Sequence, residues 1–108
     1  MNTSVMAIGN AKKITIYVEK FDVSNVKEIK KSIELEINRK NSNIIIDFSR
    51  VNFIDSSGLS VIIAIFKKLK GMRGQLRLCG LNPQPMQLLK ITQLHKIFSI
   101  VDNCNKIV

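Results

Sequence analysis

The sequence predicts a single α/β domain: a mixed, mostly parallel sheet of four to five strands with helices packed on it, in the order β-β-α-β-α-β-α-β. Three observations carry that prediction. Segments of period two alternate along the chain with segments of helical period, the pattern of strand–helix–strand units joined by right-handed crossovers. Residues 44–48, Ile-Ile-Ile-Asp-Phe, run without alternation, as strands buried on both faces do. The chain has 108 residues, 45% of them hydrophobic, which suits one domain with its own core, and no repeat or linker interrupts it.

In order along the chain, residues 5–8 and 14–18 read as strands joined by a turn at Gly9-Asn10. Ile14, Ile16 and Val18 alternate with Thr15 and Tyr17, as on a half-buried strand. The period then changes: Val23, Val26, Ile29, Ile33 and Ile37 recur at spacings of three and four, with Lys27, Glu28, Lys30, Lys31 and Glu34 between them. That spacing predicts an amphipathic helix, capped by Asp22 or Ser24 and ending near Asn41. The apolar run at 44–48 supplies a central strand. A turn at Ser49-Arg50-Val51-Asn52 and the short apolar pair Phe53-Ile54 follow it. A second helix starts near Ser57, and Leu59, residues 61–66 and Leu69 make it apolar nearly all round, hence largely buried. Lys67, Lys68 and Lys70 suit the negative end of its dipole, and Gly71 ends it. Residues 75–79 alternate as a strand. Asn82-Pro83 opens a helix that reaches about Lys90, with proline at its first position. Residues 97–101 form a last short strand.

Composition narrows the function classes. A membrane-spanning helix needs roughly 20 apolar residues, and the longest such run here goes only from Val61 to Phe66. The first ten residues lack the charge-then-apolar pattern of a secretory leader, so a cytoplasmic protein is the expectation. Cys79 and Cys104 lie outside any CxxC or metal-ligand spacing; no metal is expected, a disulfide is open but not implied, and reduced thiols are the simplest reading. The net charge is +9, spread unevenly. Residues 1–55 carry 9 basic and 7 acidic groups, whereas residues 56–108 carry 8 basic groups against the single acid Asp102. Such asymmetry suits nucleic acid, an anionic membrane or an acidic protein, or simply a lysine-rich solvated surface. With no basic helix interleaved with aromatics, one Tyr and no Trp, the solvated surface is preferred and no direct nucleic-acid partner is expected.

Enzyme signatures are missing as well. The chain has no GxSxG elbow, no Walker-type loop, no GxGxxG and no HExxH. Its single His95 lies far in sequence from the serines, and nothing supports an oxyanion hole or a substrate cleft. No catalytic residue and no cofactor is assigned.

The remaining feature is Asp55-Ser56-Ser57-Gly58-Leu59, where an apolar strand-like pair gives way to a buried helix. Read structurally, Ser56 or Ser57 caps that helix by accepting from the first-turn N–H groups, stabilising it by about 1 kcal/mol, and Gly58 allows close packing. Read functionally, a phosphoserine at a helix N-terminus meets unsatisfied N–H groups and the positive end of the dipole, so the fold tolerates it. It still adds about −1.5 to −2 charges beside Asp55, enough to alter what docks there.

With this motif between the 44–48 strand and a buried helix, the sequence resembles the STAS domain family, and within it the small stand-alone anti-sigma-factor antagonists of bacteria. Phe21-Asp22 opening an amphipathic helix and the 75–80 strand support the resemblance, which covers about residues 5–101. It implies phosphorylation of the serine directly after the motif aspartate, Ser56, with Ser57 second to it. It also implies a partner-docking surface of Asp22, Asp55, Ser56, Ser57, Gly58 and Leu59. The implied partners are an anti-sigma factor that is itself a serine kinase and binds the ATP, and a PP2C-type phosphatase. The competing reading is a STAS adaptor subunit of a membrane transport or signalling complex, without a phospho-switch.

Overall fold

The computed structural model describes residues 2–106. Strands β1 (Thr3–Ile8) and β2 (Ala11–Ile16) form a hairpin, followed by the two-residue β3 (Lys20–Phe21) and helix α1 (Val26–Glu34). Next come β4 (Asn43–Asp47), the two-residue β5 (Phe53–Ile54) and the long helix α2 (Ser56–Gly71). The chain closes with β6 (Gln75–Cys79), α3 (Pro83–Ile91), a 3₁₀ turn at Leu94–Lys96, β7 (Ser99–Val101) and a second 3₁₀ turn at Cys104–Lys106.

The main sheet has the order β1-β2-β4-β6-β7. β1 and β2 are antiparallel, and every other neighbouring pair is parallel, with Ile14 opposite Ile46 and Ile46 opposite Leu78. Because side chains alternate along a strand, the two faces of this sheet differ. Ile14, Ile16, Ile44, Ile46, Leu76 and Leu78 face the helices and join Ile29 and Ile33 of α1, Ile62 and Ile65 of α2, and Leu89 of α3 in one core. The opposite face holds a small second cluster of Ala11, Ile45 and Cys79, with Val101 beside it in the sheet and Cys104 packed against it. The mixed, mostly parallel sheet predicted from the alternation of periods is the one observed.

Several local expectations are corrected. α1 is shorter than predicted: Val23 precedes it and is 74% exposed, and Ile37 follows it, although it remains buried. The chain leaves α1 at Leu35, where backbone bonds from Glu36 N–H to the Ile33 carbonyl and from Ile37 N–H to the Glu34 carbonyl tighten it into a turn. The cap of α1 is Asn25, which makes no side-chain cap bond; Asp22 and Ser24 bond to each other instead. Phe53-Ile54 is a strand, pairing in parallel with Lys20-Phe21 in a small separate sheet. Ile97 lies outside the last strand. The thiols are also not free: Cys79, the last residue of β6, is joined to Cys104 in a disulfide with a Cα–Cα distance of 5.1 Å. The final 3₁₀ turn passes over the helix-free face of the sheet, which brings together two cysteines 25 residues apart.

Candidate functional site

The helix-period run and the strand before it meet at Asp55, which is the N-cap of α2 with an extended backbone. Its Oδ1 accepts the Gly58 N–H at 2.9 Å, and its Oδ2 accepts the Val23 N–H at 3.3 Å from the neighbouring loop. One carboxylate thus caps the helix and ties it to the segment that opens α1. Capping by Ser56 or Ser57, the structural expectation, is not observed: both serines already lie inside the first turn, and Asp55 takes the cap.

That displacement leaves the hydroxyls available. Ser56 is exposed and Ser57 half-buried, and among the described residues neither hydroxyl forms a hydrogen bond within the protein. The Leu59 N–H goes to the Asp55 carbonyl, so of the first amides of α2 those of Ser56 and Ser57 are the ones without a partner. Ser60, which also carries a hydroxyl, donates it to the Ser56 carbonyl at 2.9 Å and is occupied.

Gly58 is buried for a steric reason. A Cβ on it would stand 2.5 Å from the Phe21 carbonyl oxygen and 2.9 Å from Ile54 Cγ2. The absence of a side chain lets α2 press against the β3–β5 pair, where the Asp55 N–H also reaches the Phe21 carbonyl. Leu59 points inward to the core. Of the docking residues expected from the sequence, Asp22, Asp55, Ser56 and Ser57 therefore reach the surface, while Gly58 and Leu59 support them from beneath.

Asp22 directly precedes Val23, whose N–H donates to Asp55. The Oδ1 of Asp22 accepts the Ser24 hydroxyl at 2.6 Å and the Ser24 N–H at 3.0 Å, while the Asp22 N–H donates to Asn25 Oδ1. The Ser24 hydroxyl, then the Ser24 amide, and finally the Lys20 charge hold the Asp22 carboxyl below its usual range. Both carboxylates are thus fixed by neutral donors and remain acceptors.

Sequence reasoning missed what holds this turn in place. The Glu19 carbonyl accepts both Asn52 and Phe53 N–H groups. Gln84 of α3 brackets Ile54 with its amide, accepting the Ile54 N–H at 2.8 Å and donating to the Ile54 carbonyl at 3.0 Å. Asn82 donates to the Ser49 and Val51 carbonyls. It also gave no role to two exposed apolar residues, Val23 and Phe53, which stand on the segments that flank the motif. No composition signal marks these residues, since each role depends on a neighbour 20 or more positions away.

Elsewhere, His95 sits in the turn after α3, and among the described residues no hydrogen bond or ion pair links it to the serines. Asp47, Cys79 and Cys104 bring donor atoms within 4.8 Å of one another, but the two sulfurs are bonded together and offer no thiolate pair. Among the described residues no helix is long and apolar enough to cross a membrane.

The sequence and the fold both match known proteins. A sequence model of the STAS domain matches residues 8–107. The anti-sigma-B factor antagonist of Listeria monocytogenes is 31% identical over 88 residues, 81% of this chain and 77% of that protein. The anti-sigma F factor antagonist of Paenibacillus polymyxa is 35% identical over 65 residues, 60% of this chain and just over half, 56%, of that protein. Among solved structures, the anti-sigma factor antagonist SpoIIAA in its unphosphorylated form superposes with a TM-score of 0.74 at 22% identity, covering 96% of this chain and 91% of that one. Its phosphorylated Bacillus form superposes with a TM-score of 0.70 at 20% identity, covering 93% and 91%.

Proposed function

The chain belongs to the STAS domain family, and we propose that it works there as an anti-sigma-factor antagonist, a partner-switching protein whose switch is Ser56. Unphosphorylated, it binds an anti-sigma factor through the turn formed by Asp55, Ser56 and Ser57, together with Asp22 and the apolar Val23 and Phe53. The anti-sigma factor is also the kinase. It holds ATP and transfers the terminal phosphoryl group to Ser56 Oγ, with the hydroxyl proton passing to a base on the kinase and ADP leaving. A phosphatase of the PP2C type returns the serine.

One observation carries the reading. Ser56 presents a free, exposed hydroxyl at a helix start whose cap is already supplied by Asp55, beside two amides without partners. Phosphorylation therefore removes no bond of the fold, and the phosphoryl oxygens find donors in the first turn. The same group brings about −1.5 to −2 charges next to Asp55, which is bonded to the Val23 amide beside Asp22. A partner surface shaped around a neutral hydroxyl then meets a concentrated negative patch, and affinity falls. The names of the similar antagonists, and the two forms in which SpoIIAA has been solved, support this choice over a non-switching adaptor.

The test uses a cognate anti-sigma kinase with ATP, followed by mass spectrometry of wild type and Ser56→Ala. The wild type should gain one phosphoryl group and the alanine variant none; undiminished phosphate in Ser56→Ala would move the site to Ser57. In a binding measurement Ser56→Asp should hold the kinase more weakly than wild type, and equal affinities would favour the adaptor reading.

A further inference from the structure

The disulfide lies at the C-terminal ends of the strands, the same edge from which the switch loop leaves β4, but on the sheet face away from the helices. Its surroundings converge on the root of that loop. The Cys79 carbonyl accepts the N–H of Phe48, the first residue after β4, at 2.9 Å. The Ser49 N–H is held by Asp47 Oδ1 at 2.8 Å, and the other carboxylate oxygen of Asp47 lies 3.9 Å from the Lys13 ammonium. Gly80, at φ +68°, passes so close that a Cβ there would stand 3.0 Å from Ser49 Cβ and 3.2 Å from Cys104 Sγ. The loop root, the end of β6 and the C-terminal turn thus share one contact zone.

We propose that Cys79 and Cys104 form a reversible thiol–disulfide clamp that governs how firmly the loop running from Phe48 to Asp55 is held. The two sulfurs differ in access. Cys79 is fully buried, whereas Cys104 borders a surface cavity of about 220 Å³ together with Lys13, Asp47 and Ser49. A dithiol reductant entering by that cavity attacks Cys104 Sγ as a thiolate. A new S–S bond forms to the reductant, the protein's S–S bond breaks, and Cys79 leaves as a thiolate that takes a proton. The second thiol of the reductant then displaces Cys104, which is protonated in turn. Two electrons and two protons pass to the protein, and the reductant departs as a disulfide; a small-molecule disulfide reverses the sequence.

Reduction removes the covalent tie between β6 and the last 3₁₀ turn. The side-chain hydrogen bond described within that segment, from Asn105 N–H to Asn103, is local and does not anchor it to the sheet. The turn can then leave Ala11, Ile45 and Cys79, the cluster it covers, and its departure takes the Cys104 wall away from Gly80 and Ser49. The first bonds to feel this are those of Phe48 and Ser49.

Alkylation with iodoacetamide followed by mass spectrometry, and amide hydrogen exchange, test the clamp without any kinase, so its failure and that of the antagonist reading are distinguishable. In glutathione-disulfide buffer the chain should take no label, and after dithiothreitol it should take two. Exchange at the Phe48 and Ser49 amides should quicken by about tenfold on reduction, as expected when a local opening becomes easier. Cys104→Ser should show the fast exchange with or without dithiothreitol. Two free thiols in the glutathione-disulfide buffer would overturn the proposal, and so would equal exchange at both amides in the two redox states.

Discussion

Helix α2 follows the short strand β5 and helix α3 follows β6, and both begin at an Asx residue with an extended backbone: φ −96°, ψ −175° at Asp55 and φ −72°, ψ 169° at Asn82. From there they diverge. Asp55 directs its side chain to its own helix and to the Val23 amide, and the hydroxyls of the next two residues, both serines, find no partner among the described residues. Asn82 makes no cap bond; its amide reaches the Ser49 and Val51 carbonyls, and its helix continues with Pro83, Gln84 and Pro85. Proline at the first helical position removes a donor that would otherwise lack a partner. One helix start thus keeps free donors and hydroxyls at the surface, while the other turns its polar groups inward to brace the first. At α2 the capping by Asp55 is what leaves the two serine hydroxyls free of that task.

The sharpest way to break this contrast is at Gly58. Gly58→Ala places a Cβ against the backbone oxygen of Phe21, which no rotamer change relieves, and should cost about 2–3 kcal/mol in urea unfolding. A near-neutral result would mean that α2 does not rest on β3 as described. Next in size is Asn82→Ala, which strips two loop carbonyls of their donor. Its expected cost is about 1–2 kcal/mol in the same assay, with faster amide exchange across residues 49–55 and the phosphorylation proposed at Ser56 unaffected. If stability fell but that loop kept its protection, the bracing role of α3 would be wrong. Asp55→Ala should lose about 1 kcal/mol of cap energy, and Asp55→Asn should recover most of it because asparagine caps as well. Equal losses in both would show that charge outweighs capping at this position.

The smallest effect concerns pH. The Asp22 carboxyl is lowered in the fold by the Ser24 hydroxyl and amide. Its contribution is therefore present above the unfolded value, near 3.9, and fades as pH falls through the lower folded value. A titration of stability from pH 6 down to about 2 should show Ser24→Ala with a slightly shallower acid loss than wild type. Superimposable curves would remove Asp22 from the account.

What could be read in the sequence was whatever repeated over several residues. The buried central strand was legible because Ile44, Ile45 and Ile46 are all apolar, and each is buried in the fold. The buried α2 and the strand at residues 75–79 were legible on the same grounds. Lys20-Phe21 was invisible as a strand, since two residues carry no period and its partner lies more than 30 positions away. The end of α1 was misplaced because Ile37 keeps the helical spacing and stays buried, yet it belongs to the turn that follows. In the motif, sequence placed the serines at a helix start but gave them the cap that Asp55 holds. Asp, Ser and Asn are all good caps, so only the geometry of the turn separates them. Sequence left the disulfide open but preferred free thiols, because pairing over 25 residues depends on which face the final turn crosses.

The glycine seated beneath the motif has a consequence for association kinetics. With the Phe21 carbonyl pressed against α2 and Asp55 bonded both to its own helix and to the Val23 amide, the two acidic segments are tied together before any partner arrives. A protein that meets this surface has little loop freedom left to quench on it, so less of the contact energy is lost to ordering. Complex formation should then approach rigid-body docking, and differences among variants should appear chiefly in how long the pair stays together.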